Sequence, residues 1–269
     1  MSTEKELAYR YDLFVTPDWR DRFDVLVNEN VSFPKEGRIL DVNCGTGAHA
    51  AELAAKLGQR GEVIGVDASA ERLEIARAKT EAQKLKNLAF QQAPAHDLPF
   101  ETDQFDAVIG DASMLHDRDT PDVLAEMIRV ARAGAAVVLK LTTHGSFDEF
   151  FSLYWEALLG AGAVDETWPS LEELIVERST TSAVEKMAKE AGLRDVTTVS
   201  RKEEFSFSTA AEFFESPVIK DHFLAEWLEI LPEEKREQIL QQVIEIVDRE
   251  RHEGPFEVSI KATVLTGVK

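Results

Sequence analysis

Between Arg38 and Asp67 the chain reads R-I-L-D-V-N-C-G-T-G-A-H-A-A-E-L-A-A-K-L-G-Q-R-G-E-V-I-G-V-D, and this stretch constrains the fold more than any other. Ile39 to Val42 is a short apolar run of the kind that forms a buried strand. A glycine-containing turn follows at Asn43 to Gly47, and Ala48 to Leu57 carries strong helix formers with apolar residues at helical spacing. Gly58 and Gly61 close that helix, and Glu62 to Val66 is a second apolar strand that ends on Asp67. Strand, tight turn, helix, strand and terminal acid form one half of a doubly wound α/β domain, with a ligand expected at the turn and a ribose at the acid.

The pattern repeats downstream. Ser69 is placed to cap a helix running to about Leu85, and Leu88 to Gln91 is a short strand. Gln104 to Gly110 reads as a central buried strand, Thr120 as the cap of a helix over Val123 to Val130, and Ala136 to Leu141 as the next strand. Ser146 is expected to cap an aromatic helix over Phe147 to Leu159, which could wall an apolar pocket or simply pack on the sheet. Lys140, His144 and Tyr154 are the polar groups expected near such a pocket. Ser170 with Glu173 spells a capping box, Thr181 to Glu190 an amphipathic helix, and Leu193 to Phe207 a strand. Thr209 to Glu253 reads as helical with breaks at Pro217 and Pro232, and Phe256 to Val268 alternates as a half-buried strand. Before the glycine turn, Glu4 to Phe14 and Trp19 to Val27 read as helices, the second started by Pro17 and Asp18. Tyr11 and Trp19 are candidate cleft residues.

The glycine turn resembles the first motif of the class I S-adenosylmethionine-dependent methyltransferases, hhDhGxGxG, with Asp41, Cys44, Gly45, Thr46 and Gly47 in place. Asn43 stands where that family has a glycine, and Asn is the non-glycine residue best suited to positive φ. Leu98-Pro99-Phe100 resembles the end of the family's G-D-A-x-x-L-P-F loop, although Pro94 replaces the acid that meets the adenine. Phe105-Asp106 matches F-D-x-V, and Leu124 to Val130 matches L-x-E-h-x-R-V. The resemblance implies a Rossmann-like, mostly parallel sheet with an antiparallel last strand and a helical lid before it. It implies helices capping the cleft at 1–36, a cofactor-binding core at 37–208, the lid at 209–254 and the final strand at 255–269. It further implies S-adenosylmethionine as cofactor, held by Asp41, Asn43, Cys44, Gly45, Thr46, Gly47, Asp67, Ala68, Ala95, His96 and Asp111. The acceptor would be a small, partly apolar molecule. A base is needed only where the acceptor atom must lose a proton; His116 or His144 would serve, with Asp111 as orienter. The alternative is a non-catalytic, ligand-binding regulatory protein on the same scaffold, with Asn43 and Pro94 as its support.

Composition narrows the partners. A net charge of -20 and a pI of about 4.7 should repel phosphate backbones and anionic lipid, so neither nucleic acid nor membrane is expected. Cys44 is the only cysteine, which excludes a disulfide within the chain and fits a reducing, cytoplasmic setting. The first residues show no apolar leader segment. No C-x-x-C, H-E-x-x-H or G-K-[ST] stretch occurs, so no metal or P-loop site is expected. A monomer or homodimer is the expected state.

Overall fold

The computed structural model describes residues 2–250 and 254–269. Among the described residues seven strands form one sheet: β1 (Gly37–Val42), β2 (Gly61–Asp67), β3 (Leu88–Gln92), β4 (Phe105–Asp111), β5 (Ala131–Thr143), β6 (Arg194–Phe207) and β7 (Phe256–Val268). Their order is β3-β2-β1-β4-β5-β7-β6. The first five are parallel, with Asp41 opposite Gly65 on β2 and Ile109 on β4. The last two turn antiparallel. Thr197 meets Thr266 and Ser200 meets Thr263, so β6 and β7 run in opposite directions, and Lys269 exchanges hydrogen bonds with Gly134 and Ala135 at the start of β5. The expected Rossmann-like sheet is therefore present. β7 is buried along most of both faces rather than half-buried, because it lies between two other strands and is not an edge.

The chain divides into two compact units. The first comprises Met1–Thr142, Thr180–Arg201 and Ala262–Lys269. It contains α1 (Glu4–Arg10), α2 (Asp21–Asn30), α3 (Ala48–Leu57), α4 (Ala70–Gln83), α5 (Thr120–Val130) and α8 (Thr181–Glu190). Its core joins Leu40 and Val42 of β1, Val108 of β4 and Leu139 of β5 to Leu124 and Met127 of α5 and Val184 of α8. The expected break at Pro17 is absent: Tyr11–Arg20 is π-helical and joins α1 to α2. Proline supplies no N–H, and the wider i→i+5 register is one of the local adjustments by which a helix continues through such a point.

The second unit comprises Thr143–Ser179 and Lys202–Lys261. It holds α6 (Asp148–Gly160), α7 (Val164–Val176), α9 (Ala210–Glu215), α10 (Pro217–His222), α11 (Leu224–Glu229) and α12 (Arg236–Glu250). The helical continuation expected up to Glu253 lies outside the described residues. The aromatic side chains of α6 fill a core rather than wall a cavity. Phe150 stacks on Trp227 at 4.4 Å and on Tyr154 at 5.4 Å, and the Tyr154 hydroxyl donates to the Trp227 carbonyl at 2.5 Å. Among the described residues no helix is long and apolar enough to cross a membrane.

Ser69 caps α4 as expected, accepting from the Arg72 N–H at 3.1 Å. Other caps fall elsewhere. α6 starts after Phe147, at φ 64, while Ser146 instead donates to the Thr143 carbonyl and accepts from the Lys261 N–H. α7 runs straight through Ser170, Thr180 caps α8, and Thr120 is the first residue of α5 and not its cap. The Ala131–Ala135 stretch opens β5 with a register shift against β4.

Trp227 is 1% exposed and is ringed by Phe147, Phe150, Phe151 and Phe223. Trp227→Ala should lower unfolding stability by about 3–5 kcal/mol, the range for truncating a large buried aromatic. Urea denaturation followed by circular dichroism checks this, and a loss near zero would contradict the packing described.

Candidate functional site

The glycine turn alternates left-handed residues: Asn43 has φ 55, Gly45 φ 58 and Gly47 φ 77. This alternation folds the backbone into a tight loop between β1 and α3. Asn43 carries its positive φ and also ties the loop to β4, its Nδ2 donating to the Asp111 carbonyl at 2.9 Å. The Cys44 N–H donates to the Val66 carbonyl at 2.9 Å, fixing the loop to β2. A Cβ on Gly47 would lie 2.8 Å from the Phe90 ring and 3.1 Å from Ala76, so the start of α3 packs too closely for a side chain. Cys44 is buried, and burial pushes its thiol well above the usual range, which removes it as a nucleophile.

Asp67 ends β2 as expected. Its carboxylate accepts from the Gly45 N–H at 2.8 Å and from the Ser69 N–H at 2.9 Å, with Arg72 3.9 Å away. Each oxygen keeps lone pairs for a further donor. The Ala68 carbonyl accepts from Gln92 Nε2 at 2.9 Å. Across the next loop Ala95 is buried, while Pro94, His96 and Asp97 are exposed. That loop is fixed by Glu126 and Arg129 of α5: Glu126 accepts from the Leu98 N–H, and Arg129 donates to the Leu98 and Phe100 carbonyls. These are the acid and base of the L-x-E-h-x-R-V stretch, whose spacing carried the information that sequence reading did not use.

Beside the loop lies a buried charge cluster. Lys140, wholly buried on β5, reaches Asp24 of α2 at 2.7 Å and Asp111 of β4 at 3.1 Å. Arg20 adds a second cation on Asp111 at 3.2 Å. Burial alone would raise the Asp111 carboxyl; Lys140, Arg20 and the Ser113 hydrogen bonds outweigh it and hold Asp111 far below the usual carboxylate range. Asp24 is likewise lowered, against burial, by Lys140, His49 and Arg20. Burial opposes the charge on Lys140 too, but Asp111 and Asp24 raise its pKa. His49 of α3 sits 3.5 Å from Asp24, yet burial dominates and takes it down to about 4. Arg20 and Asp24 are one helical turn apart beside the apolar Trp19 and Phe23, and Lys140 interrupts an apolar strand. Charges in such places must find partners, which is the sequence signal for this cluster.

The structure thus brings together Asp41, Asn43, Cys44, Gly45, Thr46, Gly47, Asp67 and Asp111, and adds Arg20, Asp24 and Lys140 to them. Trp19 joins through Ser113: its Nε1 donates to Ser113 Oγ at 2.9 Å, which in turn donates to Asp111 at 2.6 Å. The carboxylate of Asp111 is thereby engaged by Ser113, Arg20 and Lys140, and not by either candidate histidine. His116 is half-buried in the segment that follows β4. His144 is exposed and belongs to the second unit, as does Tyr154.

Among the described residues neither carboxylate oxygen of Asp41 has a hydrogen-bond partner, and burial lifts its pKa to about 7 against the pull of Lys140 and Arg20. A folded pKa above the unfolded one means that this stability contribution is full below about pH 4 and is lost as pH rises through 7. His49 runs the other way, its contribution being present above about pH 6.5 and lost as pH falls towards 4. Asp41→Asn should therefore gain stability relative to the parent chain as pH rises from 4 to 8, by up to about 4 kcal/mol. Denaturation curves at the two pH values check this, and a pH-independent difference would contradict it.

The donor set suits an adenosyl cofactor: a carboxylate with free lone pairs where a ribose diol would bind, a glycine loop, and their place at the C-terminal edge of parallel strands. A methyltransferase-domain family model matches residues 34–194, more than half of the 269-residue chain. The chain is similar to the demethylmenaquinone methyltransferase of Lactococcus lactis subsp. lactis (strain IL1403), with 39% identity over 127 residues. That stretch is 45% of this chain and 49% of the relative, so the chain spans about half the length of that protein. Similarity to the demethylmenaquinone methyltransferase of Geobacillus kaustophilus (strain HTA426) extends over 188 residues at 32% identity, 66% of this chain and 78% of the relative. In fold it resembles phosphoethanolamine N-methyltransferase 2 of Haemonchus contortus, solved in complex with S-adenosyl-L-methionine. The TM-score is 0.54 at 18% identity, covering 93% of this chain and 52% of that one. By the family match, the sheet order and the glycine loop closed on Asp67, this chain belongs to the methyltransferase-domain family, within the class I S-adenosylmethionine-dependent methyltransferases.

Proposed function

We propose that this enzyme methylates a small, apolar, quinone-type molecule. The observation that carries the cofactor half of this reading is the Asp67 carboxylate drawn onto the Gly45 N–H at the end of β2. Quinone chemistry comes from the relatives, whose names specify demethylmenaquinone. The net charge of -20 supports a non-nucleic-acid acceptor, since such a surface repels polyanions.

S-adenosylmethionine, when bound, supplies a methyl group already activated by the positive sulfur. The residues that would hold it are Asp67 and the backbone from Asn43 to Gly47, with Ala68, Ala95 and His96 on the adenine side. The rest of the task is placement of the acceptor atom and exclusion of water. A proton lost from the acceptor passes to His116 Nδ1 or Nε2, the half-buried imidazole just beyond the C-terminal end of β4. Asp111 contributes by holding Arg20, Lys140 and Ser113 in place.

Calorimetric titration with S-adenosylhomocysteine tests the cofactor site. Asp67→Ala should weaken binding about tenfold or more, the size of a lost charge-assisted hydrogen bond; unchanged binding would remove Asp67 from the site. With demethylmenaquinone as acceptor, His116→Gln should lower kcat by about 10²–10⁴-fold and leave the KM for the cofactor unchanged. An unaltered kcat would rule out His116 as the base.

A further inference from the structure

The buried charge cluster balances without Asp41. Among the described residues its two cations, Arg20 and Lys140, pair with two anions, Asp24 and Asp111. Asp41 is the acid left over. It is wholly buried, and neither of its oxygens has a hydrogen-bond partner. Ionised, it would be a buried charge whose nearest cations are already engaged, so below neutral pH it carries a proton. Its pKa of about 7 agrees with that charge count.

The strand puts this acid next to the loop. Leu40 and Val42 enter the core with α5 and α8, and side chains alternate along a strand, so Asp41 faces the other side of the sheet. There it meets Arg20 and Asp24 from the N-terminal helices, Asp111 from β4 and Lys140 from β5. Asn43 follows two residues on, and its carbonyl accepts from Arg20 at 2.8 Å. The other titratable groups around the cluster bring Asp41 no positive charge. Burial holds His49 neutral at about 4 and pushes Cys44 and Tyr11 up, keeping both neutral. Asp67 is an acceptor taken by the Gly45 and Ser69 N–H groups.

A cation brought to the loop would therefore favour the ionised form of Asp41. S-adenosylmethionine carries a fixed sulfonium charge, and S-adenosylhomocysteine has a neutral thioether in its place. We propose that Asp41 reads this difference: it holds a proton in the free chain, releases it when a sulfonium occupies the site, and so favours the charged cofactor over the neutral product. In that step the carboxyl O–H bond breaks, the electron pair stays on oxygen and the proton goes to the buffer. This rests on the reading that the cofactor binds at the glycine loop.

Calorimetric titration of the full chain at about pH 6, in phosphate and in imidazole, tests this, because the two buffers turn released protons into different heats. S-adenosylmethionine should release close to one proton more than S-adenosylhomocysteine. Binding that releases a proton strengthens as pH rises, so the preference for S-adenosylmethionine over S-adenosylhomocysteine should grow about tenfold from about pH 5 to about pH 6. Asp41→Asn, its folding checked by circular dichroism, should lose both differences while retaining His96, His116 and His144. A second readout needs no variant: in infrared difference spectra of the parent chain, the band of a protonated buried carboxyl should vanish with S-adenosylmethionine and persist with S-adenosylhomocysteine. Equal proton release for the two ligands, a difference that survives in Asp41→Asn, or a carboxyl band unchanged by S-adenosylmethionine overturns the inference and leaves the cofactor reading intact. No binding of either ligand to the parent chain overturns the cofactor reading, and this inference with it.

Discussion

A wholly buried lysine governs how this protein is assembled around its site. Lys140 sits on β5 among apolar neighbours, and an ammonium group there is tolerable only with opposite charge close by. Asp111 supplies it from the adjacent parallel strand, and Asp24 supplies it from α2, more than a hundred residues away in sequence. Arg20, one turn before Asp24, then completes the charge balance on Asp111. One buried cation thus fixes where the N-terminal helices meet the sheet, and through Arg20 it fixes what stands in front of the glycine loop.

The local parts of this architecture were readable from the chain. An apolar run, a Gly-containing turn and an apolar run ending on Asp67 gave two parallel strands and the helix between them, because periodicity and turn chemistry are decided by near neighbours. Asn43 in the loop was readable in the same way, as the residue type that accepts positive φ. The capping serines were less so. A hydroxyl near a helix start bonds to whatever carbonyl or N–H the tertiary fold brings to it, and for Ser146 these are the Thr143 carbonyl and the Lys261 N–H.

The candidate site divides along the same line. The loop and its acid were legible, and Tyr11 was a candidate cleft residue, while Arg20 and the contacts that bring both onto the loop were not. Tyr11 and Arg20 belong to a stretch that Pro17 marks as a break, and their partners Asn43, Arg72 and Asp111 come from three other segments. The aromatic helix α6 left two readings open, a pocket wall or packing on the sheet. Its rings pack, with stacking partners supplied by α9 and α11, and aromatic surfaces that pack face to face or edge to face leave no room for a guest.

Cys44 is the chain's only sulfhydryl; it is held under the loop, with its sulfur where a side chain on Gly65 would have to be. Shielded in this way, it cannot meet an alkylating reagent until the backbone around it lifts. Its rate of chemical labelling is therefore a clock for how often the nucleotide loop breathes, built into the native polypeptide and readable by mass without any added probe.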